Sequence, residues 1–592
     1  PAVLGGPPDP GAHRNPGSTG TPRRPQDRPR RVIVPFVPEK ETAVYDYIIV
    51  GAGSAGCVLA ARLSADSSVK VLLLEAGPSD DADEIRAPAA LSRLFQSAYD
   101  WNYSTVPQHR AGGRSVYWPR GKVLGGSSSM NAMIYIRGNR HDFQTWRDEH
   151  GCTGWGYQDL MPYFRRAEDN ARGASAYHGA GGPLAVSDPR YKSPACEAFI
   201  AAAREQGATA NEDFNGPRQD GVGWYQVTQR KGRRCSAATA YLHPAMSRPN
   251  LTVQTNALVT KILIDGGRAT GVTYLRHGQT EIASADGEVI LCGGAVNSPQ
   301  LLMLSGIGPA DHLIDTGIEP VADSPGVGAN LSDHPVLPVI WSTPRLRGLW
   351  EKTGNAGALR WQLTHRGAVA SNVAESGGFA HSEPGLPAPD LQLHVLAAAY
   401  KNQGLADPAQ RAMTVLVGLI DVKSRGRIRL RSADPRHRPA IDPGYLSDGG
   451  GDARALLAGL KLAREFVTAR PMAAICRSEI APGAHVRSDA ELLDYVRNSV
   501  VTLYHPVGTC AMGSEARWGS VLDPELKVRG IDGLRVVDAS VMPTVPRGNT
   551  NAPTIAIAER AADLIAGRAP LAPADPADPV DAMATAGRPA QP

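Results

Sequence analysis

The sequence is poor in cysteine, in long apolar runs and in net charge. Its 592 residues include seven scattered cysteines that form no C-x-x-C pair, which excludes a zinc ribbon or a disulfide framework. Isolated thiols of this kind favour a reducing, cytoplasmic environment. No segment of about 18 or more apolar residues occurs, so no membrane span is expected, although peripheral membrane association stays open.

Charge is nearly balanced, with 62 basic and 58 acidic residues and a net charge of +4. Because no broad basic surface is indicated, nucleic acid is not an expected partner. No zinc site is indicated, and no metal is predicted. Glycine, in contrast, is plentiful at 63 residues. This surplus points to tight turns and close backbone approaches, as in proteins that hold a large cofactor.

Both ends of the chain differ in composition from the middle. Residues 1–44 contain ten prolines, and residues 568–592 contain six prolines in an Ala/Asp/Pro background. Such segments cannot bury enough apolar surface to fold, so both are predicted to be disordered tails. The arginine pairs Arg23–Arg24 and Arg30–Arg31 could touch an anionic surface, but a solvated tail is favoured. The folded part is expected to span 45–567.

The first folded segment has the pattern of a strand, a glycine turn, a helix and a second strand. An apolar strand over Tyr47–Val50 is followed by a helical stretch over Ser54–Ser64 and an apolar run over Val69–Leu74. This βαβ unit of about 30 residues predicts a parallel sheet and an α/β fold. Later strands at Glu288–Cys292 and Leu534–Val537 indicate that the sheet is assembled from distant segments.

The turn after the first strand contains the pattern G-x-G-x-x-G at residues 51–56. Gly51 makes the tight turn, Gly53 lets the backbone approach a pyrophosphate, and Gly56 allows close packing of helix on strand. The helix N-terminus stabilises the phosphates, and Glu75 can accept hydrogen bonds from ribose hydroxyls. The fingerprint alone does not separate NAD from FAD. It predicts a dinucleotide site formed by Gly51, Gly53, Ser54, Ala55, Gly56 and Glu75.

Four further segments follow one another along the chain: Arg120–Asn131, Gly294–Gly308, Tyr504–Gly513 and Gly548–Thr554. Together they resemble the signatures of the glucose–methanol–choline (GMC) oxidoreductases. The resemblance implies an FAD-dependent enzyme that oxidises alcohols. It also implies a Rossmann-type FAD-binding domain built from discontinuous segments, with an interleaved α+β substrate-binding domain on an antiparallel sheet.

The positions of the motifs set the expected domain bounds. Residues 45–195, 228–333 and 500–567 are assigned to the FAD-binding domain. Residues 334–499, which lack glycine fingerprints, are assigned with residues 196–227 to the substrate-binding domain.

Several residues of these motifs are expected to contact FAD. The run Gly125–Ser127 offers unhindered backbone amides, which suit contact with a flavin ring and its phosphates. Met130 stands where some relatives carry a histidine that bonds covalently to flavin, so the FAD is predicted to be noncovalent. Beyond the fingerprint, the resemblance implies cofactor contacts by Val123, Gly125, Gly126, Ser127, Asn131, Val259, Asp538, Ala539 and Asn549.

Alcohol oxidation needs a base for the hydroxyl proton and an acceptor for the hydride, which flavin N5 provides. A histidine suits the base because its ordinary pKa lies close to working pH. Among the 15 histidines, His505 is the candidate because it lies in the Tyr504–Gly513 motif. Asn549 aligns with the second catalytic position of the family. Its amide can hold the alcohol oxygen without competing for the proton.

The sequence leaves the substrate open. Glu375, within Val373–Phe379, resembles the position where choline oxidases place a glutamate against the trimethylammonium group, so it is expected in or near the cavity. Such a carboxylate with aromatic neighbours suits a cation. A neutral primary alcohol is nevertheless favoured over choline. Trp101 and Trp341 are candidate pocket aromatics, although ordinary core packing is favoured for both.

The expected partners are a small-molecule alcohol and a quinone or other electron acceptor. An alcohol oxidase that uses oxygen is the nearest alternative. A flavin-containing hydroxynitrile lyase is disfavoured because the chain shows neither a secretory signal nor a disulfide pattern. A flavoprotein without activity is disfavoured because it leaves His505 and Asn549 unexplained. The oligomeric state is not predicted.

Overall fold

A computed structural model describes residues 44–406, 410–517 and 519–576. The predicted tails lie outside these ranges except for Val44, which begins the first strand, and residues 568–576, which are packed on the fold. The Leu571 N–H donates to the Tyr163 hydroxyl at 3.0 Å, and the Asp575 carboxylate pairs with Arg140. The predicted tail boundary at residue 568 is therefore wrong, because backbone and ionic contacts hold the segment that follows it.

The first seven-stranded sheet is built on the predicted unit of β1 (Val44–Val50), α1 (Ser54–Leu63) and β2 (Val71–Leu74). α1 is rich in alanine and largely buried, so it packs closely on the sheet. β1 pairs in parallel with β2 and with Gln279–Leu291, and β2 pairs in parallel with Leu251–Gln254. The predicted Rossmann-type α/β arrangement is confirmed.

Strand Gln279–Leu291 joins the parallel part of this sheet to an antiparallel part. Its second half pairs in parallel with β1 and with Leu534–Val536. Its first half pairs antiparallel with Arg268–Arg276, which in turn pairs with Ala257–Asp265. The carboxyl ends of the parallel strands therefore meet at one edge, which is where open α/β sheets bind their ligands.

The second sheet is antiparallel. Its strand order is Glu479–Ala481, Pro335–Ser342, Ala412–Leu419, Leu391–Leu396, Ser376–Ala380 and Gly221–Trp224, with Val501–Thr502 paired to Pro335–Ser342. Most of these strands come from the two segments predicted for the substrate-binding domain, but Val501–Thr502 lies beyond them. The described residues form one compact unit. The division of this unit into an FAD-binding and a substrate-binding domain, one around each sheet, therefore stays a prediction.

The remaining elements cover and connect the two sheets. The helices include Asp83–Arg86, Arg140–Asp148, Tyr157–Ala167, Pro194–Glu205, Gly294–Leu304, Ala310–Asp315, Leu349–Lys352, Asn355–Thr364, Gly451–Thr468, Arg470–Ala473, Asp489–Ser499 and Asn551–Ile565. Short strands pair as Tyr103–Ser104 with Tyr117–Trp118, Glu168–Asn170 with Leu184–Val186, Gln229–Arg230 with Arg233–Arg234, Ile307–Gly308 with Ala322–Asp323, and Arg427–Arg429 with Ala440–Asp442. Within the described ranges, no helix is both long and apolar enough to cross a membrane.

Candidate active site

One cavity of about 1220 Å³ reaches both sheets. Its wall includes the carboxyl ends of β1, β2 and Gln279–Leu291 and, from the second sheet, residues of Leu391–Leu396 and Ala412–Leu419. The sequence-predicted residues that line it are Gly51, Gly53, Ser54, Ala55, Glu75, Gly126, Ser127, Asn131, Val259, His505, Asp538, Ala539 and Asn549. The fingerprint and the predicted catalytic pair, although distant in sequence, thus share one cavity.

Backbone contacts shape the fingerprint turn. Gly51 has φ +103°, and a Cβ there would lie 2.6 Å from the Cys292 carbonyl oxygen, so only glycine fits. A Cβ on Gly53 would meet only the Cys292 oxygen, at 3.8 Å. The cavity side of the Gly53 backbone is therefore open to a ligand. α1 begins at Ser54 without a side-chain cap. Its first N–H groups are therefore available to an anion in the cavity.

Glu75 lies at the end of β2 and is buried. One carboxylate oxygen accepts from the Ala52 N–H at 2.9 Å, and the other accepts from the Gly77 N–H at 2.8 Å. Burial raises its pKa to about 7, against the lowering effect of these two bonds. Each carboxylate oxygen keeps a further lone pair, so Glu75 can still accept from hydroxyl groups in the cavity.

Three predicted cofactor residues lie behind the cavity wall and do not line it. Gly56 packs against the Gly51 carbonyl, where a Cβ would come within 1.9 Å of the oxygen. The Gly125 N–H donates to the Ala52 carbonyl at 2.7 Å, and Val123 is buried beside Met130. The packing of Gly56 on the turn is the role that the sequence predicts for it, and the contacts of Gly125 and Val123 with the cofactor stay predictions. They hold the turn and the loop whose neighbours line the cavity.

Asp538 and Ala539 follow strand Leu534–Val536 and line the cavity. The Asp538 carboxylate also accepts from the Gly294 N–H at 2.8 Å and from the Ser298 hydroxyl at 2.5 Å. It therefore holds the start of helix Gly294–Leu304, beside the fingerprint turn. Burial raises its pKa, while these hydrogen bonds oppose the rise.

The predicted catalytic residues His505 and Asn549 are in contact. The Asn549 side-chain nitrogen lies 3.2 Å from His505 Nε2. The residue before the histidine, Tyr504, has φ +71°, an uncommon conformation for a tyrosine. Its carbonyl accepts from Arg120 Nη2 at 2.7 Å. The structure thus maintains an unfavourable backbone conformation where it presents His505 to the cavity.

Sequence reasoning missed two neighbours of His505 that come from one short segment. The Asp333 carboxylate accepts from the His505 backbone N–H at 2.7 Å and from the Thr502 hydroxyl at 2.6 Å. His334 Nδ1 lies 3.0 Å from His505 Nδ1. The pairing of Pro335–Ser342 with Val501–Thr502 brings these segments together. No local pattern in the sequence indicates that pairing.

The electrostatics of the pair favour a neutral imidazole. Burial lowers the pKa of His505 well below its usual range, and nearby His334, His394 and Arg120 lower it further. Burial also lowers the pKa values of His334 and His394 to about 3. All three rings are therefore uncharged at neutral pH. An uncharged His505 can accept a proton.

Strand Leu391–Leu396 contributes two polar residues to this region that sequence reasoning also missed. Gln392 Nε2 donates to the Asn549 side-chain oxygen at 3.2 Å. His394 lines the cavity, and among the described residues neither of its ring nitrogens has a hydrogen-bond partner. The alternation of Gln392 and His394 with apolar residues was the available signal, because alternate residues of a strand share one face.

Glu375 directly follows two cavity residues and so lies near the cavity, but its own side chain does not line the wall. Its carboxylate accepts from the Cys196 thiol at 3.0 Å and from the Ser371 hydroxyl, and the residue is fully buried. Val373 and Ala374 do line the cavity. The backbone before Glu375 therefore borders the cavity, whereas its carboxylate meets Cys196 behind the wall. Burial raises its pKa.

The two tryptophans proposed as pocket aromatics differ. Trp101 lines the cavity, where it stacks on Tyr103 and carries the Lys122 ammonium 5.0 Å from its ring centre. Trp341 is buried in strand Pro335–Ser342 and is not part of the cavity wall. The preference for core packing holds for Trp341, whereas Trp101 is a cavity residue.

Comparisons with known proteins place this geometry in a family. Family models described as GMC oxidoreductase match residues 45–336 and 422–558. The chain is 45% identical over 538 residues to the mitochondrial choline dehydrogenase of Homo sapiens, covering 88% of this chain and 90% of that protein. It is 46% identical over 532 residues to an alcohol dehydrogenase [acceptor] of Pseudomonas putida, covering 88% of this chain and 96% of that protein.

A solved structure shows the same fold. The formate oxidase of Aspergillus oryzae RIB40, in a structure concerned with modification of its FAD, superposes with a TM-score of 0.82 at 28% identity. The match covers 89% of this chain and 98% of that one.

Proposed function

We propose that this chain, which belongs to the GMC oxidoreductase family, oxidises a neutral primary alcohol to an aldehyde at the His505–Asn549 pair. The observation that carries the proposal is the 3.2 Å contact of the Asn549 amide with His505 Nε2, in the cavity that also contains the fingerprint. Family membership confirms the resemblance of the motifs and the assignment of FAD as cofactor. The chain is accordingly an oxidoreductase of CH–OH donors.

The residues of the cavity fit FAD. Gly126 lies so close to the fingerprint that a Cβ on it would be 2.7 Å from the Gly53 Cα. Backbone atoms, without side chains, therefore form the cavity wall at this point. Gly126, Ser127 and Asn131 would hold the flavin end, and Glu75 and Val259 the adenosine end. When bound, FAD supplies the hydride acceptor, N5 of its ring.

The hydrogen bonds of His505 fix which nitrogen acts as the base. The Asn549 side-chain nitrogen can only donate, so His505 Nε2 is the acceptor in that contact. The ring proton of a neutral His505 then lies on Nδ1, which donates to His334 Nδ1 at 3.0 Å. His505 Nε2 is left with a lone pair directed to Asn549 and the cavity. This tautomer can take a proton from a substrate hydroxyl.

Asn549 positions the alcohol oxygen. Because Gln392 donates to its side-chain oxygen, its nitrogen is directed to His505 Nε2. A hydroxyl group that replaces this contact can donate its proton to His505 Nε2 and accept from the Asn549 nitrogen. The amide then stabilises the negative charge that develops on oxygen as the proton leaves.

The wall beside His505 favours an uncharged substrate. Val373, Ala374, Leu396, Leu416 and Leu503 line this part of the cavity and belong to one apolar cluster. The Glu375 carboxylate, which would have faced a cation, lies behind the wall. Choline is the second candidate, because a mitochondrial choline dehydrogenase is 45% identical to the chain.

The test is anaerobic bleaching of the flavin by choline and by its tert-butyl analogue, in which carbon replaces the quaternary nitrogen. These two alcohols have the same shape and differ in charge. Faster reduction by the uncharged analogue would support the proposal, and faster reduction by choline would replace it with a choline dehydrogenase. Bleaching by no alcohol of a broader primary-alcohol panel would overturn alcohol oxidation itself.

We propose a quinone or another carrier as the electron acceptor, with oxygen as the alternative. The relative in Pseudomonas putida is named for an acceptor. The rate at which the reduced flavin is reoxidised, measured with air and with a soluble quinone, distinguishes these two acceptors. Slow return of the yellow colour in air and fast return with a soluble quinone would support a dehydrogenase.

We propose that the FAD is held noncovalently. Met130, buried and on the cavity wall, has no nucleophilic nitrogen with which to bond the flavin ring. Acid precipitation of the purified protein should therefore release the yellow colour into the supernatant. Flavin that stays with the peptide fragments after precipitation and proteolysis would contradict this prediction.

We propose that Gln392 is a positioning residue for Asn549. Gln392→Leu should slow flavin reduction at saturating alcohol roughly 3- to 10-fold, the effect of losing one ordinary hydrogen bond, with the FAD content unchanged. In an Asn549→Ala background the same change should have no further effect, because the group that it positions is gone. Equal slowing in both backgrounds would show a merely structural role.

A further inference from the structure

Helix Asn355–Thr364 presents large apolar side chains to solvent. Leu359 is 58% exposed and Leu363 is 76% exposed. The two leucines are four residues apart, so they share one face of the helix. Trp350, in the preceding helix Leu349–Lys352, is 42% exposed. Single exposed apolar residues are ordinary, whereas two leucines exposed on one helix face, with an exposed tryptophan nine residues before the first, are typical of an interaction surface.

The opposite face of the same helix is part of the cavity wall. Trp361 is buried and lines the cavity with Ala358. Asn355 and Gln362 are exposed residues that also line it, so the cavity reaches the surface beside this helix. The exposed leucines therefore border an entrance to the active site.

The segment that contains the helix is basic, although the exposed Asp83 and Glu84 line the same cavity from another element. Between residues 343 and 366 there are five arginine and lysine residues and one acidic residue, Glu351. Glu351 is paired with Arg411 at 2.8 Å. Arg345, Arg360 and Arg366 are exposed, and among the described residues none of them has a carboxylate partner. The segment thus offers unneutralised positive charge beside apolar side chains.

We propose that the surface formed by Trp350, Leu359, Leu363, Arg345, Arg360 and Arg366 docks the enzyme on an anionic lipid bilayer. Leucine and tryptophan enter the interface between headgroups and acyl chains, and arginine binds the lipid phosphates. We favour a bilayer over a protein partner, because leucine side chains and arginine charges on one helix match the apolar and phosphate layers of a lipid interface.

This location deepens the proposed function and rests on it for the use of the cavity. An entrance that opens at the bilayer surface gives access to an apolar alcohol or a quinone dissolved in the membrane. Neither reagent then has to cross water to reach His505. Membrane docking itself depends only on the surface residues, so it can be tested without turnover.

The experiment is flotation of the full-length, FAD-loaded protein with two kinds of vesicle, phosphatidylcholine alone and phosphatidylcholine with phosphatidylglycerol. The variants are Leu359→Ser with Leu363→Ser, and Arg360→Gln with Arg366→Gln. The matched control is Ile282→Ser with Ile314→Ser, because these isoleucines are 51% and 63% exposed on other elements.

We expect the wild-type protein to float with the anionic vesicles. The leucine variant should lose roughly tenfold or more of its binding to them. The arginine variant should lose roughly fivefold per charge on anionic vesicles only. The isoleucine control should bind like the wild type. In all three variants, anaerobic flavin reduction by a water-soluble alcohol should be unchanged, which separates docking from catalysis.

Two results would overturn docking by this surface. One is the absence of wild-type binding to anionic vesicles. The other is equal binding of the leucine variant and the wild type, which would assign any binding to another part of the chain, such as the arginine pairs of residues 1–44. A change in molar mass of the leucine variant by light scattering, with vesicle binding unchanged, would show contact between copies of the chain instead.

Discussion

Replacing His505 with alanine is expected to slow flavin reduction by alcohol roughly 100- to 10,000-fold, the usual contribution of a general base. FAD should remain bound, because the fingerprint and the loop at Gly126 are untouched. The measurement is stopped-flow bleaching under anaerobic conditions, with the visible spectrum as the record of bound FAD. His381→Ala is the matched control, since this histidine pairs with Asp220 outside the cavity wall.

Asn549→Ala should also slow the reaction, because the donor to the developing oxygen charge is lost. Comparable donors contribute about 2.7–4 kcal/mol. The losses in the double variant should fall short of the sum, since both side chains act on the same oxygen. A His505→Ala enzyme that binds FAD and is reduced at the wild-type rate would contradict the assignment.

The pH profile gives a second readout of the same residue. Burial and the neighbouring positive and imidazole groups lower the pKa of His505 well below its ordinary range. The neutral form that accepts a proton is present above this pKa and is lost as the pH falls through it. We therefore expect kcat/KM for flavin reduction to rise to a plateau with a midpoint below about 6.5, the ordinary value for histidine. A midpoint above that value would assign the base to another group.

The parts of the site that the sequence predicts are those formed by local backbone. β1, the turn at Gly51, α1 and β2 follow from a continuous run of apolar periodicity and one glycine pattern, and the structure has them within a few residues of the predicted bounds. The glycines act through contacts within this unit and with the strand that ends at Cys292. The contacts that fix this unit are mostly made by residues near one another in sequence, so the sequence pattern is enough to predict it.

The supporting shell of the catalytic pair could not be predicted in this way. His334 is 171 residues from His505, and Gln392 is 157 residues from Asn549. These contacts depend on the register of the antiparallel sheet, in which a shift of one residue turns each side chain to the other face. Glu375 shows the consequence, since its motif places the backbone beside the cavity while its carboxylate meets Cys196.

Placing a side chain at Gly53 is expected to remove FAD from an otherwise folded protein. A Cβ at this position would meet only the Cys292 carbonyl oxygen, at 3.8 Å, so the protein itself has room for it. The added carbon atoms would instead occupy the side from which the pyrophosphate approaches the backbone. Gly53→Val should abolish binding of FAD, and Gly53→Ala should weaken it roughly tenfold or more.

Gly56→Ala provides the contrast, because its Cβ would come within 1.9 Å of the Gly51 carbonyl oxygen. That change should lower the free energy of unfolding of the protein even without cofactor. Flavin absorbance per protein, titration of the apoprotein with FAD and thermal unfolding of the apoprotein separate the two effects. Gly53→Val should lose flavin with an apoprotein transition like that of the wild type, whereas Gly56→Ala should unfold at a lower temperature. A Gly53→Val protein that is purified with a full complement of FAD would show that the pyrophosphate does not approach this turn.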